Sequence, residues 1–350
     1  MKVIRARNVH NALPLALLMM DDCGVRRESR NGQVITLLEP VATVYERPEE
    51  RVIFWPSRNA NPFFHLYEAM WMLQGREDVA PLTRYAKNME NYSDNGTLLA
   101  GAYGYRWRKG FELDQIPIII ERLRENPNDR RCVLQMWDPM MDLGQDGKDI
   151  PCNLTVTFQI GYAGELNMVV FNRSNDIIWG CYGANAVHFS FLQEYIAAGI
   201  NCPIGTYTQV SVNWHVYTQF FENLKSIPVS SYPGKWTLYG KDPYTLEEVI
   251  HIPLFPTGWN YQTFDHSLAE VMKSVDSGNF EGGVASAFLD VFVTLMKAHY
   301  EYKRLPEPEN FDVALSLLRG SKIDWFVAGR EWVQRRRDKW ELKQNTLGEA

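Results

Sequence analysis

The sequence predicts an α+β fold with a helical C-terminal extension. Runs in which apolar and polar residues alternate are concentrated between residues 132 and 217. Strongly apolar runs occur at 61–75 and 186–200, and helical patterns dominate from 264 to 342. A period of two residues is typical of strands, whereas apolar residues three and four apart are typical of helices. One core that mixes strands and helices, followed by a mostly helical segment, accounts for all three observations.

The first half of the chain contains helices and short strands. Residues 13–20 are an apolar run that is interrupted by a proline and followed by acidic residues, which predicts a helix too short to span a membrane. The segment GQVITLLEPVATVYE has β-branched residues at strand spacing. In the apolar run that follows, Asn61 can cap a helix, Pro62 suits its first turn and Gly75 can end it. A further predicted helix, IPIIIERLRE, stops at the Asn-Pro pair after it.

Strands dominate the middle of the chain. The segments CVLQMWD, NLTVTFQI and ELNMVVFNRS predict strands, with a hairpin turn at IGYAGEL. A second apolar helix is predicted over 186–200, and another strand at GTYTQVSVNWHVY. From 223 to about 262 proline, glycine, serine and lysine become frequent, which indicates an excursion on the surface. We therefore predict a core over 1–222 and, over 223–350, this excursion with a helical extension packed on the core.

Composition and charge limit the possible partners. The 350 residues are 45% hydrophobic and 22% charged, enough for a sizeable core. A net charge of −6 argues against a general basic surface for nucleic acid, although a local arginine cluster could hold one phosphate. The five cysteines show neither paired CxxC spacing nor a zinc pattern, which fits a reducing compartment. We expect a cytoplasmic protein without membrane contact.

Cys152 is the candidate nucleophile. It lies in DIPCNLTVTFQI, where a loop enters a strand, between a proline and the polar Asn153. A buried structural thiol is the ordinary alternative, because free cysteine is among the most buried residue types. However, Arg130, Arg131 and Arg173 are near in sequence. A guanidinium brought close by folding would stabilise the thiolate and make it a nucleophile.

The segment FNRSNDIIWGCYGANAVHFS combines groups that could bind a phosphate and a base. Arg173 and Ser174 end a strand, and an arginine beside a hydroxyl suits a phosphate monoester. Asp176 and Asn185 flank a glycine-rich turn into a helix. The Asn185 amide can donate and accept at once, so it could bind a carbonyl beside an N–H. Turn formation and helix capping are the alternative explanation for these residues.

Three further sets of residues are ambiguous when each is taken alone. Arg130 and Arg131 follow a helix, where adjacent arginines are usually solvated. His215 and Tyr217 lie two residues apart on one face of a strand, where they are either structural or placed to hold a sugar hydroxyl. Glu68 lies in the middle of an apolar helix, so its carboxylate is either on the solvated face or buried for a chemical purpose.

Together these segments resemble the thymidylate synthase superfamily over roughly residues 27–222. SRNG is similar to the family's N-terminal phosphate-arginine loop, FHLYEAMWMLQG to the helix with the catalytic glutamate, and GAYGYRWR to its Y-G-x-x-W-R turn. NPNDRR resembles the double arginine, PCN the nucleophile, NRSND the phosphate and folate strand, and HVY the sugar site. The motifs occur in the family's order at compatible spacings. The resemblance implies a twisted mixed β-sheet flanked by helices.

The resemblance also implies a role for each matching residue. Cys152 would add to C6 of a pyrimidine deoxynucleoside monophosphate, Glu68 would relay protons to O4 through water, and Tyr103 would help to remove the C5 proton. Asn185 would recognise the pyrimidine edge. The remaining residues would bind substrate and co-substrate: Arg30, Arg173 and Ser174 the 5′-phosphate, Arg130 and Arg131 the same phosphate from the partner subunit of a homodimer, His215 and Tyr217 the 3′-hydroxyl, and Asp176 and Gly180 the folate.

The implied chemistry uses 5,10-methylenetetrahydrofolate as co-substrate, with no metal or flavin. Thiolate addition at C6 makes C5 nucleophilic, and C5 then attacks the folate methylene. Synthases of the family finish with hydride from the folate and release dTMP. Hydroxymethylases finish with water and release a 5-hydroxymethyl nucleotide, which the resemblance connects with DNA base modification in phages, in the host cytoplasm.

Several departures favour the phage-type hydroxymethylase branch. Asn153 replaces the histidine of the synthase P-C-H pattern, and GCYGANAVHF replaces the usual turn with one more residue. Met89 and Tyr92 fall where synthases have tryptophans that help to shield the methylene. The long extension replaces the synthase tail that closes the site, and poorer exclusion of water favours hydroxylation. Asparagine at 185, where dCMP hydroxymethylases have aspartate, favours dUMP.

The sequence thus predicts a dUMP 5-hydroxymethylase. A dCMP hydroxymethylase and a thymidylate synthase are the alternatives within the family. Outside it, the alternatives are a catalytically silent nucleotide-binding relative and an RNA-binding protein that uses REWVQRRRDKW. Against these, the resemblance finds Cys152, Glu68, Arg173 and His215 all present, and the basic run fits a helix end.

Overall fold

The computed structural model describes residues 1–224, 227, 229–232, 235–238, 242–256, 259–280 and 286–348, with only the backbone for 229–232, 235–238 and 347–348. The strands are β1 (Lys2–Ala6), β2 (Val25–Ser29), β3 (Gly32–Thr36), β4 (Val41–Tyr45), β5 (Val133–Gln135), β6 (Asn153–Ile160), β7 (Leu166–Asp176), β8 (Ile204–Tyr217), β9 (Val229–Tyr232) and β10 (Lys235–Leu238). The helices are α1 (Val9–Cys23), α2 (Pro62–Leu73), α3 (Ala80–Thr83), α4 (Tyr103–Arg108), α5 (Gln115–Glu125), α6 (Pro139–Asp142), α7 (Asn185–Ile200), α8 (Thr218–Leu224), α9 (Tyr261–Ser277), α10 (Ala287–Arg304), α11 (Glu309–Leu317) and α12 (Asp324–Gly348).

Strands β1 to β8 form one mixed sheet. Its order is β1-β4-β8-β7-β6-β5, and β3 joins β2 to β8 beside this path. Strands β6 and β7 are an antiparallel hairpin whose turn includes Gly164 at a φ of +86°, a conformation that glycine adopts without strain. Strand β8 is parallel to β7 and is reached through α7, because parallel neighbours need a crossover connection. The mixed sheet flanked by helices is confirmed.

The two apolar helices α2 and α7 pack against each other, and α7 contacts β7 and β8. Asn61 caps α2 by accepting a hydrogen bond from the Phe64 N–H at 3.2 Å, and Pro62 is its first residue. Gly75 follows the helix at a φ of +64°. Helix α2 therefore forms for the local reasons predicted from sequence, and its apolar surface meets that of α7 in the core.

The C-terminal helices extend this core. Helices α9, α10 and α12 contact α2, and α9 also contacts α7. Among the described helices, none is both long and apolar enough to cross a membrane. The C-terminal helices pack on the core, so that helices from both halves of the chain share one apolar interior.

Residues 242–256, within the surface excursion predicted from 223 to about 262, are partly exposed, as at 245–248, and partly anchored in the interior. Tyr244, Val249 and Leu254 are buried. The Tyr244 hydroxyl donates to Asp324 at 2.9 Å, so the segment finds polar partners inside the fold despite its turn-forming composition. Much of the rest of the predicted excursion, within 225–241, lies outside the described residues.

A buried ion pair joins this segment to the core. Arg51 donates to Glu194 of α7, and both side chains are almost fully buried. Glu194 also accepts from the Leu254 N–H at 2.8 Å and lies 3.3 Å from His251 Nε2. Burial alone would raise the pKa of Glu194, but the charges of Arg51 and His251 lower it to about 2. The carboxylate therefore stays ionised inside the protein.

Replacing Arg51 with methionine should destabilise the protein by about 3–5 kcal/mol, because it leaves a buried carboxylate without its partner. Urea titration followed by tryptophan fluorescence measures this free energy of unfolding. The matched control is Arg5→Met, which breaks an exposed pair with Glu46 and should cost at most about 1 kcal/mol. The double variant Arg51→Met/Glu194→Leu should recover only part of the loss, because it removes the unpaired carboxylate but leaves the buried Leu254 N–H without its acceptor. Equal costs for Arg51 and Arg5 would contradict this account.

Candidate active site

Cys152 lies half-buried immediately before β6, in a loop that Arg173 and Tyr103 hold. The Cys152 N–H donates to the Tyr103 hydroxyl at 3.3 Å, and the Cys152 carbonyl accepts from the Arg173 N–H at 2.9 Å. The Arg173 guanidinium donates to the carbonyls of Pro151 at 2.8 Å and Ile150 at 2.9 Å. Loop and strand are thus tied together, and the sulfur stays at the entrance of the strand.

Burial and the neighbouring charges shift the pKa of the Cys152 thiol in opposite directions. Burial raises the pKa of the Cys152 thiol above its ordinary value, and Asp149 adds to this effect. Arg173 and Arg30 lower the pKa, since their positive charges stabilise the thiolate. The two arginines therefore lie close enough to Cys152 to act on it, although Arg30 is on the exposed turn between β2 and β3.

Alkylation of Cys152 by iodoacetamide should accelerate as pH rises through and above the ordinary thiol pKa of about 8.5, because only the thiolate reacts and burial keeps the thiol protonated at neutral pH. Peptide mass spectrometry separates Cys152 from the exposed Cys23. Arg30→Gln should shift the profile to higher pH, whereas Arg27→Gln on the same hairpin should not. A profile that Arg30→Gln leaves unchanged would exclude the arginine from this role.

Asn185 lies at the start of α7 within a row of buried amides. Asn153, the residue after the candidate nucleophile, donates from Nδ2 to Asn185 Oδ1 at 3.3 Å. Asn185 donates in turn to Asn175 of β7 at 3.1 Å. A Cβ on Gly180 would lie 2.4 Å from Asn175 Oδ1, so the glycine lets this pair form. The sequence predicted a folate contact for Gly180, whereas its visible contact is with the amides.

Glu68 lies buried on α2, facing α7. Its Oε2 is 3.0 Å from His188 Nε2, and both side chains are almost fully buried. Asp149 is near both Glu68 and Cys152: burial raises its pKa, and the Glu68 charge contributes. Glu68 is therefore buried beside His188 rather than exposed on a solvated helix face, and its Oε2 makes no hydrogen bond among the described residues.

His215 and Tyr217 are neighbours at the end of β8, with their rings edge to face at 5.7 Å. Ser174 and Asp176 of β7 are paired in register with Asn213 and His215. The Asp176 Oδ1 accepts from the Ile178 and Trp179 N–H groups at 2.8 and 2.7 Å, which is the helix-capping alternative weighed from sequence. Its buried Oδ2 has no hydrogen-bond partner among the described residues.

A cavity of about 390 Å³ opens beside Glu68. Seven of its thirteen lining residues are aromatic or apolar and six are polar or charged, a combination that suits a flat heteroaromatic ligand with polar edges. The lining includes Phe64, Tyr85, Met89, Tyr92 and Trp179. In the described part of the chain, no group of three or more potential metal ligands is close together.

Arg130 and Arg131 are exposed and away from these contacts. The Arg131 guanidinium donates to Asp129 at 2.8 and 2.9 Å. No described contact joins either arginine to Cys152 within one chain. The structure therefore brings together the other predicted site residues in two groups, around Cys152 and around β7 and β8, and leaves this pair on the surface.

Sequence reasoning missed four residues that the structure places in or behind the site: His188, Asn175, Gln209 and Arg58. His188 lies one helical turn after Asn185, a spacing that could have indicated it. Arg58 is buried, donates to the Ile178 carbonyl at 2.7 Å, and lies 4.9 Å below the Trp179 ring. No local pattern marks Asn175, Gln209 or Arg58, since their partners are distant in sequence.

Comparisons with known proteins point to one family. The family model of thymidylate synthase matches residues 22–230. The deoxyuridylate hydroxymethyltransferase of Pseudomonas phage M6 is 46% identical over 98% of this chain and 97% of its own length. That of Bacillus phage SP01 is 36% identical over 53% of this chain and 51% of its own length.

A solved structure supports the fold. Thymidylate synthase from T4 phage has a TM-score of 0.54 with 21% sequence identity, covering 74% of this chain and 91% of that one. At that identity the likeness concerns the fold alone. The family model, however, covers more than half of this chain, and the M6 relative aligns nearly from end to end. This chain therefore belongs to the thymidylate synthase family.

Proposed function

We propose that the protein is a deoxyuridylate 5-hydroxymethylase, which converts dUMP, 5,10-methylenetetrahydrofolate and water to 5-hydroxymethyl-dUMP and tetrahydrofolate. One observation carries the proposal: Asn153 directly follows Cys152 and donates to Asn185. A pyrimidine could thus meet the thiol at C6 while an amide binds its edge. The similarity to phage proteins named deoxyuridylate hydroxymethyltransferases supports this choice over the alternatives within and outside the family.

The residues around the thiol suit the first steps. Cys152 would add to C6 as the thiolate, and Tyr103, whose hydroxyl lies at the Cys152 N–H, would help to remove the C5 proton. Arg30, Arg173 and Ser174 would bind the 5′-phosphate. His215 with Tyr217 would hold the 3′-hydroxyl. The influence of Arg30 and Arg173 on the Cys152 pKa supports their placement near the nucleotide.

Glu68 and His188 suit the final step, in which water adds to the one-carbon unit. A buried carboxylate can accept the water proton, as a general base does. His188 lies behind Glu68 at 3.0 Å and would position the carboxylate. Glu68 also lies on the wall of the aromatic cavity, so a proton could pass between this cavity and the pyrimidine O4.

The aromatic cavity fits the folate co-substrate. Its aromatic side chains would bind the flat pterin by stacking. Asp176 does not line the cavity but accepts from the N–H of Trp179, which does, and its unpaired Oδ2 would accept from a ring N–H. When bound, methylenetetrahydrofolate supplies a one-carbon unit at the formaldehyde oxidation level. Tyr92 is 48% exposed on this wall. A wall open to solvent lets water reach the reacting carbon, which supports hydroxylation over hydride transfer.

A homodimer would complete the site. On the outer face of the sheet, Phe171 of β7 and Val212 of β8 remain 37% and 58% exposed. The side chains of Gln209 and Ser211, on the opposite face of β8, are buried. Such an apolar outer face suits a second copy. Arg130 and Arg131 would then reach the phosphate in the other subunit. This arrangement would account for the lack of a described contact between either arginine and Cys152 of the same chain.

Mixing two inactive variants should restore activity if the arginines act across the interface. Arg130→Ala/Arg131→Ala keeps Cys152, and Cys152→Ala keeps the arginines. Random exchange gives half hybrid dimers with one intact site each, so about a quarter of wild-type activity should return. Mixing Cys152→Ala with Glu68→Gln is the control and should restore nothing, because both residues serve their own subunit. No recovery despite verified exchange would refute the cross-subunit role.

Product analysis tests the proposed function. The protein is incubated with dUMP or dCMP and methylenetetrahydrofolate, and the nucleotide is identified by mass spectrometry. We expect 5-hydroxymethyl-dUMP without the absorbance rise at 340 nm that dihydrofolate gives. A methylated product with rising absorbance would show a synthase instead. Binding of dUMP without any product would show a catalytically silent relative.

A further inference from the structure

We infer that the choice of uracil over cytosine is made not by Asn185 alone but by Gln209 and Asn175, two buried residues behind it that hold its amide in one orientation. The inference rests on the proposed function, because it concerns the nucleotide of that same site. It assigns a positioning role, since neither residue would touch the base.

An asparagine amide by itself does not distinguish the two bases. Uracil presents the O4 acceptor beside the N3–H donor, and cytosine presents the amino donor beside the N3 acceptor. An amide also has a donor beside an acceptor, and it matches either base if it rotates by 180° about its last side-chain bond. Selectivity therefore requires that Asn185 cannot rotate freely.

The orientation of the row is determined at its far end. Gln209 Nε2 donates to the backbone carbonyl of Cys181 at 3.0 Å, and a carbonyl can only accept. Tyr45 strengthens this end, because its hydroxyl donates to the same carbonyl at 2.9 Å and accepts from Gln209 at 3.2 Å. The amino group of Gln209 must consequently face Cys181, and its Oε1 must face the other way.

The orientation of Gln209 determines the orientation of each following amide in the row. Gln209 Oε1 accepts from Asn175 Nδ2 at 3.1 Å, so Asn175 presents its Oδ1 to Asn185. Asn185 must therefore direct its Nδ2 toward Asn175, and this atom donates to Asn175 Oδ1 at 3.1 Å. Asn175 and Gln209 are 3% and 0% exposed, so water cannot replace these partners. Ser211 also contacts Asn175 Nδ2, at 3.1 Å, but a hydroxyl can turn to suit either orientation.

Two free positions remain on Asn185 for the base. One N–H is left on Nδ2, and Oδ1 keeps a lone pair beside the one that Asn153 uses. A donor for O4 and an acceptor for N3–H are thereby offered to uracil. For cytosine the amide would have to rotate, and Oδ1 of Asn185 would then face Oδ1 of Asn175. Asn153 does not prevent the rotation, since its own Oδ1 has no partner among the described residues and it could turn as well.

The test compares dUMP and dCMP in full-length variants. Gln209→Met and Asn175→Leu remove the orienting groups with little change of volume, and Ser211→Ala is the matched control. Circular dichroism checks folding. Calorimetry gives the ratio of the dissociation constants for the two nucleotides, and kcat/KM gives the same ratio for turnover. A merely structural defect would weaken both nucleotides equally and leave the ratio unchanged.

We expect the preference for dUMP to fall at least about tenfold in Gln209→Met and Asn175→Leu, and to change less than about twofold in Ser211→Ala. Unchanged ratios in the two orienting variants would overturn the inference. If Asn175→Leu does not fold, Gln209→Met decides. The ratio of dissociation constants tests the role of Gln209 and Asn175 even if the reaction product contradicts the proposed function. A wild-type protein that binds neither nucleotide would refute both the inference and the proposed function.

Discussion

Replacing Cys152 with alanine should lower turnover by roughly 10⁴-fold or more while dUMP still binds, because the proposed mechanism needs its thiolate to form the bond to C6. Loss of the thiolate leaves C5 without the activation that makes it a nucleophile. Mass spectrometry of 5-hydroxymethyl-dUMP measures the turnover, and calorimetry measures the binding. The two measurements separate a missing nucleophile from a damaged site.

Cys202→Ala is the matched control for this substitution. Cys202 is another half-buried free cysteine, located between α7 and β8, and its removal should leave turnover within about twofold of wild type. If Cys152→Ala kept full turnover, the covalent mechanism would be refuted. If it lost dUMP binding as well, the thiol would be part of the binding surface rather than the reacting group.

Asn185→Asp should lower the ratio of kcat/KM for dUMP over dCMP by about 10²-fold, because each buried polar group that loses its partner costs about 1–3 kcal/mol. A carboxylate can accept from the cytosine amino group, but it cannot donate to O4 of uracil. Competition between the two nucleotides in one reaction, with both products quantified, measures the ratio directly.

The contact with Asn175 makes this prediction sharper. In Asn185→Asp an oxygen of the new side chain would face Asn175 Oδ1, where Asn185 now donates. Adding Asn175→Leu removes that repulsion, so the double variant should favour dCMP further than Asn185→Asp alone. A ratio that Asn185→Asp leaves unchanged would remove residue 185 from base recognition.

Elements with local signals were predicted well from the sequence. Helix α2 begins at an asparagine cap and a proline, and the β6–β7 hairpin has alternating residues about a glycine turn. These signals act between residues close in the chain, so they are visible without the fold. The place of Cys152 at a strand entrance has the same kind of local signal, whereas its role as the nucleophile stays a prediction.

Long-range pairing limited the prediction elsewhere. Residues 242–256 have the composition of a loop, but Leu254 is buried and its N–H donates to Glu194, which is 60 positions away. Composition reports the tendency to turn, not the partners that a turn will meet. The contact between Glu68 and His188 was likewise invisible, since it joins α2 to α7 across the core.

By itself the sequence determined the family and the elements that have local signals, and it predicted part of the candidate site, with Cys152 and Asn185 among its residues. Only the tertiary structure decided which way the Asn185 amide points. Its direction depends on Asn175 from β7 and Gln209 from β8, and on a backbone carbonyl that accepts from Gln209. The physical reason is that an amide is nearly symmetric in shape but not in hydrogen bonding, so its orientation is a property of its neighbours rather than of the residue.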